Sequence, residues 1–426
     1  MIVEYPQIDA PDGPSMKIPS PGERQQMLLA RRNKKMALSP HAYMRGNTGR
    51  YYEWLQNQRG HSLPHGPGIW ICGDCHIGNF GPLADSDGKV QVQIRDFDQT
   101  VVGNPAHDLL RLGLSLATAA RDSNLPGIHL LEGYEAALDT VAEGASIQTP
   151  EMVKVVIRGA LKRTWKQLAK DRIVNTRPKI PQGKNFWPLS EPEKNGITQL
   201  LKNREILDLV TTLKSREDDA NIKVLDAAYW VKGCSSLGLL RYAVLLSVGG
   251  AGDCLLDIKQ AVRTVAPRYQ HVSMPRDNAG RVVAGACQMS PALGKRMIAE
   301  RFLEHGVFIR ELLPQDLKLE LDQMSMEEAI SMSRYLAYVV GCAHARQMDR
   351  ATRKNWRSEL KLNRSKSLAT PAWLWKSVVQ LMASHEAGYL DHCRNYALQS
   401  EGYLCIWRFW NPVLRMQILA PNFVQG

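Results

Sequence analysis

The chain has 426 residues, 44% of them hydrophobic, and a formal net charge of +12. That much apolar material builds a sizeable core in two or three domains or lobes, and the charge favours anionic partners such as nucleotide phosphates, an acidic substrate or nucleic acid. Eight cysteines without framework spacing, and no run of eighteen apolar residues, argue against a disulfide scaffold and a spanning helix and for a reduced, cytoplasmic setting.

Residues 1–20 are rich in Pro, Asp and Ser and read as a loose arm. Helical pattern follows over about 22–36 and about 40–58. Ile69-Trp70-Ile71-Cys72 is a short apolar run, a buried strand, and Asp74 leaves its end on a loop. Val90, Val92 and Ile94 alternate with Gln91, Gln93 and Arg95 in a second strand, after turn formers Asp85, Asp87 and Gly88. The expected arrangement is a hairpin of these two strands, with Asp74, Asn79 and Asp96 meeting near one end.

The most informative residues lie here: Gly73-Asp74-Cys75-His76-Ile77-Gly78-Asn79-Phe80, then Ile94-Arg95-Asp96-Phe97-Asp98. Phosphoryl transfer from a metal–nucleotide needs one Asp to orient the attacking hydroxyl, and an Asn and a second Asp to hold magnesium. Magnesium takes few protein oxygens when phosphates and waters complete its octahedron, and Asn79 and Asp96 supply that number. Two other patterns overlap this run. Cys72-Gly73-Asp74-Cys75-His76 fits a c-type haem attachment, and the cysteine pair fits a redox or zinc site. No secretory leader is read for the first, and no second Cys-x-x-Cys for the second.

Next comes Gly103-Asn104-Pro105-Ala106-His107-Asp108-Leu109-Leu110-Arg111-Leu112, where Asn104 suits an N-cap and Pro105 the first helical position. These three motifs resemble the aminoglycoside and choline kinase branch of the protein-kinase-like superfamily. The resemblance implies Asp74 as catalytic base and Asn79 and Asp96 as metal ligands. It also implies Asp98 near a second metal, and His76 and Asp108 as structural support of the catalytic loop. Cys72 stands where that branch usually has His.

Further helices are expected over about 127–145 and 150–171, and a surface connection over 175–195. From Ala227 to Lys259 the pattern is strand, glycine turn, strand, turn, strand. The turn is Gly233-Cys234-Ser235-Ser236-Leu237-Gly238. Glycines there let backbone N–H groups approach phosphates, and Lys259 supplies a point charge for them. Taken alone, Gly-x4-Gly fits a plain hairpin turn equally well. A helix over Asn278–Met289, a strand over Val307–Glu311, and a capping box at Ser325-Met326-Glu327-Glu328 opening a helix through Arg346 follow. The C-terminal part is helical over about 371–398. A basic stretch from Arg350 to Lys366 reads as a solvated face or an acidic-substrate platform.

In ordinary kinases the lysine precedes the catalytic loop; here Lys259 follows it, so the resemblance implies a circular permutation. With Ser39–Gly46, Lys259-Gln260-Ala261, Arg281-Val282-Val283, Phe308-Ile309-Arg310 and Ala343-His344-Ala345-Arg346 added, most of residues 22–350 resembles the bacterial domain of unknown function 2252 family. That family usually has Glu where Gln260 stands. Asp277 is the only acid from Gln260 to Ala299, so the lysine lacks an evident partner. Arg45 reads as an anion clamp or as a structural bridge between lobes. His344 and Arg346 read as packing or capping residues.

The expectation is an α+β, two-lobed, protein-kinase-like fold, circularly permuted. A helical lobe with the catalytic loop spans 1–222, a strand-rich nucleotide lobe 223–316, and a helical return 317–426. The function read is ATP- and Mg2+-dependent phosphotransfer to a hydroxyl on a small molecule or protein. Asp74 is catalytic, and Asn79, Asp96 and Asp98 hold metal. Gly233, Ser235, Ser236, Gly238 and Lys259 hold the nucleotide. Nucleotidyl transfer from the same site, or a catalytically weak ATP-binding regulator, are the alternatives. A nucleic-acid partner finds no recognisable module, and no membrane partner is expected.

Overall fold

The computed structural model describes residues 19–58, 63–119, 128–143, 147–173, 179–211, 221–249, 252–270, 272–319, 325–361 and 371–396. Most of the arm read over 1–20, part of the 175–195 connection and the end of the basic stretch lie outside them. The fold is α+β, with antiparallel sheets among many helices.

Ten strands are described: β1 Ile69–Ile71, β2 Phe80–Ala84, β3 Val90–Ile94, β4 Val101–Gly103, β5 Phe186–Trp187, β6 Ile222–Trp230, β7 Arg241–Val248, β8 Gly252–Gln260, β9 Met297–Phe302 and β10 His305–Leu312. The expected hairpin has a different partner. β3 pairs with β2, in register Phe80↔Ile94 to Ala84↔Val90, and β1 pairs with β4. Phe80-Gly81-Pro82-Leu83-Ala84 hides as a strand because it contains Gly and Pro; Pro82 is tolerated because a two-stranded sheet has only edges. The turn is as read: Asp85 Oδ1 accepts from the Asp87 and Lys89 N–H groups at 3.0 and 2.9 Å, and Gly88 takes φ +78°.

β5 to β10 form one six-stranded antiparallel sheet in the order β5-β6-β7-β8-β10-β9. β7 reads as one apolar run because both of its faces are covered. Tyr242, Val244, Leu246 and Val248 meet Ile197, Ile206, Leu256 and Ile258 on one side. Ala243 and Leu245 meet Phe186, Trp230, Leu255 and Leu312 on the other. By the two-residue period, Arg241, Asp257, Lys259 and Arg310 continue that second face. β9 escaped the sequence reading because its hairpin turn uses Leu303 and Glu304 at φ +46° and +65°, without the usual glycine or asparagine.

The largest core joins β1–β4 to helices Ala106–Ala119, Ile128–Glu143, Met326–Ala345, Arg350–Leu360 and Ala372–Tyr396. Helices Ile128–Glu143 and Met326–Ala345 touch closely: a Cβ at Gly341 would stand 2.6 Å from the Ala137 side chain. The stretch expected as one helix over 40–58 is two, Pro40–Gly46 and Thr48–Asn57. Asn47 breaks it with non-helical φ −128° and ψ 70°, and its side chain caps the second helix by accepting from the Arg50 N–H at 3.2 Å. The break puts both Arg45 and Thr48 on the cleft described below. The stretch read over 150–171 likewise divides, into Glu151–Leu161 and Trp165–Ile173. In the basic stretch, Arg357 pairs with Asp139, and Lys361 lies 4.0 Å from Glu135. Among the described residues no helix is long and apolar enough to cross a membrane.

Candidate active site

The loop after β1 is fixed from beneath by Asp108, in the first turn of the Ala106–Ala119 helix and fully buried. Its two carboxylate oxygens accept from the Cys72 N–H at 2.7 Å and the Gly73 N–H at 2.9 Å. His344 Nε2 adds a contact at 3.2 Å, its Nδ1 meets the Tyr134 hydroxyl at 2.9 Å, and Trp356 Nε1 donates to that hydroxyl at 3.0 Å. His344 thus ties three helices to the loop, beyond the packing role read for it. Gly73 sits at φ +76°, where a side chain would run into the Gln99 carbonyl, and its own carbonyl accepts from Tyr52 at 2.6 Å.

Asp74 is held at both oxygens. Arg111 Nε donates to Oδ1 at 2.8 Å and Thr48 Oγ1 to Oδ2 at 2.9 Å. Arg111 is fully buried and also donates to the Met44 carbonyl at 2.7 Å. Neither partner had a role in the sequence reading. Arg111 follows Asp108 by three residues, which on a helix puts both on the face beneath the loop. His76 is buried, with Nε2 3.9 Å from Asp74 Oδ2. Burial, with the Arg45 and Arg111 charges, holds its imidazole well below the usual histidine range and therefore neutral.

Asn79 donates through Nδ2 to the Asp74 carbonyl at 2.9 Å, which leaves the amide oxygen as an acceptor. Its own carbonyl accepts from the Arg95 N–H at 2.8 Å, tying the loop to the end of β3. Asp96 and Asp98 follow. Lys259, from β8, closes against Asp98 and lies 3.7 Å from Asp96 Oδ2. The partner that the sequence left open for this lysine is this carboxylate pair. Helix Asn278–Met289 contributes Arg281 instead of an acid; its Nη2 donates to the Asp98 and Val262 carbonyls at 3.0 and 2.9 Å. Gln260 accepts from the Leu240 N–H at 2.9 Å, a structural bond at the end of the glycine turn.

The two carboxylates titrate apart. Desolvation raises both. For Asp96 the Lys259 and Arg310 charges outweigh it and hold the carboxyl well below the usual range. For Asp98 the neighbouring Asp96 charge adds to desolvation and pushes it up to about 6. A site with two carboxylates against one ammonium has affinity for more positive charge. Asp96 remains 42% exposed and Asp98 22% exposed, so both are open to the cleft.

That cleft, about 430 Å³, lies between the loop and the sheet. Asp74, His76, Asn79, Asp96, Asp98 and Lys259 all line it, with Gly233, Cys234, Ser235 and Ser236 opposite. Gly238 does not: a Cβ there would meet Leu29 of the Pro21–Met36 helix at 3.4 Å. Asp108 stays behind the loop. The sheet side is stiffened by Asp257, fully buried, which accepts from Arg241 at 2.8 and 2.6 Å and from Arg310 at 3.3 and 3.2 Å. Burial opposes its ionisation, but the two guanidinium groups hold its carboxyl far below the usual range.

The family model described as an uncharacterized protein conserved in bacteria, domain of unknown function 2252, matches residues 24–395. The chain belongs to that family. No curated protein and no solved structure matches it. In this family member no three His, Cys, Asp or Glu side chains cluster as a metal cage among the described residues. The donors that fit magnesium are the oxygens of Asn79, Asp96 and Asp98, a hard set that leaves places for phosphate and water. Cys72 and Cys75 are free and fully buried, and burial pushes the Cys75 thiol well up, so neither is a reactive thiolate.

Proposed function

We propose that this protein is an ATP- and Mg2+-dependent phosphotransferase with a circularly permuted, kinase-like arrangement of two lobes. The observation that carries the reading is convergence. Asp74, Asn79 and Asp96 come from one short segment, Lys259 from a strand far along the chain, and all line one cleft. A surface hairpin with scattered acids would not draw a near-buried lysine between its carboxylates.

In this reading the acceptor hydroxyl lies against Asp74. Its proton passes to the Asp74 carboxylate as its oxygen bonds to the γ-phosphorus. The bond from that phosphorus to the bridging oxygen breaks, and the electron pair leaves with ADP. Arg111 and Thr48 hold the carboxylate in place for that transfer. Asn79, Asp96 and Asp98 would hold Mg2+, which when bound neutralises phosphate charge. Lys259 and the Gly233–Ser236 backbone receive the remaining phosphate oxygens.

One observation favours a catalytically weak, ATP-binding regulator as the second reading: both Asp74 oxygens already accept a hydrogen bond, and one is from a guanidinium. Incubation with ATP labelled at the α- or γ-phosphate separates the readings. Phosphotransfer releases or transfers the γ label and leaves α label in ADP, with Asp74→Ala inactive. Transfer of α label indicates nucleotidylation. Bound ATP recovered intact indicates the regulator and overturns the phosphotransferase.

A further inference from the structure

We propose that the acceptor is an anion, a carboxylate- or phosphate-bearing alcohol, and that Arg45 is the residue that recognises its charge. The inference rests on the phosphotransfer reading and adds the substrate class to it.

The first observation is the charge of the cleft. Eight Lys or Arg side chains line it against three carboxylates, those of Asp74, Asp96 and Asp98. Asp74 is neutralised from behind by Arg111, Arg241 and Arg310 share the single charge of Asp257 behind the sheet, and the other two lining carboxylates are the magnesium donors. A magnesium nucleotide thus leaves positive potential unmatched. Such a cleft repels the cationic acceptors that aminoglycoside and choline kinases take their names from, and draws anions in.

The second is the position of Arg45. It lies in the last turn of the Pro40–Gly46 helix and lines the cleft. Its guanidinium rests against Gly78, where a Cβ would come within 2.8 Å of Cζ, so a side chain there would displace it. Gly78 stands between Asp74 and Asn79 on the loop, so the guanidinium borders the place of the reacting hydroxyl. Its charge also reaches His76 and, across the cleft, Cys234. Among the described residues it makes no ion pair, and its Nε is buried without a hydrogen-bond partner. Arg241, Arg310 and Lys259 each have a carboxylate. A planar fork held without a carboxylate suits two oxygens of an incoming carboxylate or phosphate. The structural bridge between lobes is the poorer account, because no described acid receives it.

Inorganic phosphate is the probe, titrated by calorimetry into the full chain saturated with a non-hydrolysable Mg–ATP analogue. Phosphate is expected to bind the wild type, about tenfold more weakly to Arg45→Gln, and to Arg45→Lys in between, with analogue affinity equal in all three. Loss of analogue affinity in Arg45→Gln instead makes Arg45 a γ-phosphate clamp and overturns the proposal. So does phosphate binding that is unchanged by the substitution, or absent from the wild type. If the analogue itself does not bind, the phosphotransfer reading fails, and the same titration on the free protein decides Arg45 alone. ATP turnover gives the second arm: stimulation by glycerate or 3-phosphoglycerate over glycerol and choline is expected, and stimulation by choline alone contradicts it.

Discussion

The two walls of the cleft are built on different principles. The loop wall, Cys72 to Asn79 with Arg95 to Asp98, lies outside the strands, and its shape is imposed from outside by buried polar side chains. Asp108 and His344 grip the start of the loop, Arg111 and Thr48 grip Asp74, and Asn79 ties the loop to itself. The sheet wall is regular, and Arg241, Asp257, Lys259 and Arg310 occupy ladder positions fixed by register, with Arg241 opposite Lys259 and Arg310 opposite Asp257. Among the described residues the contacts between the walls include Lys259 to Asp98 and Asp96 and Arg310 Nη1 to the Arg95 carbonyl at 3.1 Å; Lys35, on the Pro21–Met36 helix, reaches the Gly233 carbonyl at 2.9 Å. The contrast separates the roles. In the phosphotransfer reading, the groups proposed for the hydroxyl and metal stand on the imposed wall, and Lys259, proposed for phosphate, stands on the laddered one.

The largest expected effect breaks the loop wall chemically. Asp74→Ala should cut turnover by about 10² to 10⁴ while nucleotide affinity is kept. A fall in nucleotide affinity instead, read by calorimetry, would put Asp74 on the phosphate side and erase the contrast.

Removing the loop wall's support comes next. Asp108→Ala strands two buried N–H donors and His344, and should cost ~3 to 5 kcal/mol in urea denaturation. The parallel change on the sheet, Asp257→Ala, leaves two guanidinium groups unpaired and should cost a similar ~3 to 5 kcal/mol. Only the first should lower turnover of the surviving folded protein; equal losses from both would merge the walls into one unit.

Acid should act mainly on the loop side. Burial lowers His107 to about 4, His385 to about 3 and His76 well below its usual value. Histidines depressed in the folded state contribute stability that is complete above their unfolded pKa near 6.5 and is lost as pH falls toward the folded values. The unfolding free energy from urea titrations should therefore drop from pH 7 to pH 5, by ~1 to 2 kcal/mol per histidine, and His385→Gln should flatten the slope. A flat profile in the wild type contradicts the burial assignment.

The smallest effect sharpens the sheet side. Gly233 and Gly238 have φ +99° and +100°, so alanine at either should cost ~1 to 2 kcal/mol of stability. Only Gly233→Ala should also weaken nucleotide binding, because Gly238 packs on Leu29 away from the cleft.

The same contrast explains what could be read without coordinates. Asp74, Asn79 and Asp96, and their support Asp108, sit in three closely spaced motifs and are legible there. The other supports are less so: Thr48, Tyr134 and Trp356 come from distant helices and nothing local marks them, and His344 reads from its motif only as a packing or capping residue. β7 and β8 were legible as apolar runs between glycine turns. β2 was masked by Gly81 and Pro82, and β9 by a turn of leucine and glutamate. Lys259 stood out at a strand end, but its partner could not, because Asp98 lies far earlier in the chain and meets it only through tertiary packing.

The central claim is that Asn79 and Asp96 grip a magnesium–nucleotide beside Asp74. Calorimetric titration with a non-hydrolysable ATP analogue, with magnesium and then with excess chelator, tests it most directly. The account predicts binding that depends on magnesium and is lost in Asp96→Ala. Binding of equal strength without magnesium, or an Asp96→Ala protein that binds like the wild type, would contradict it.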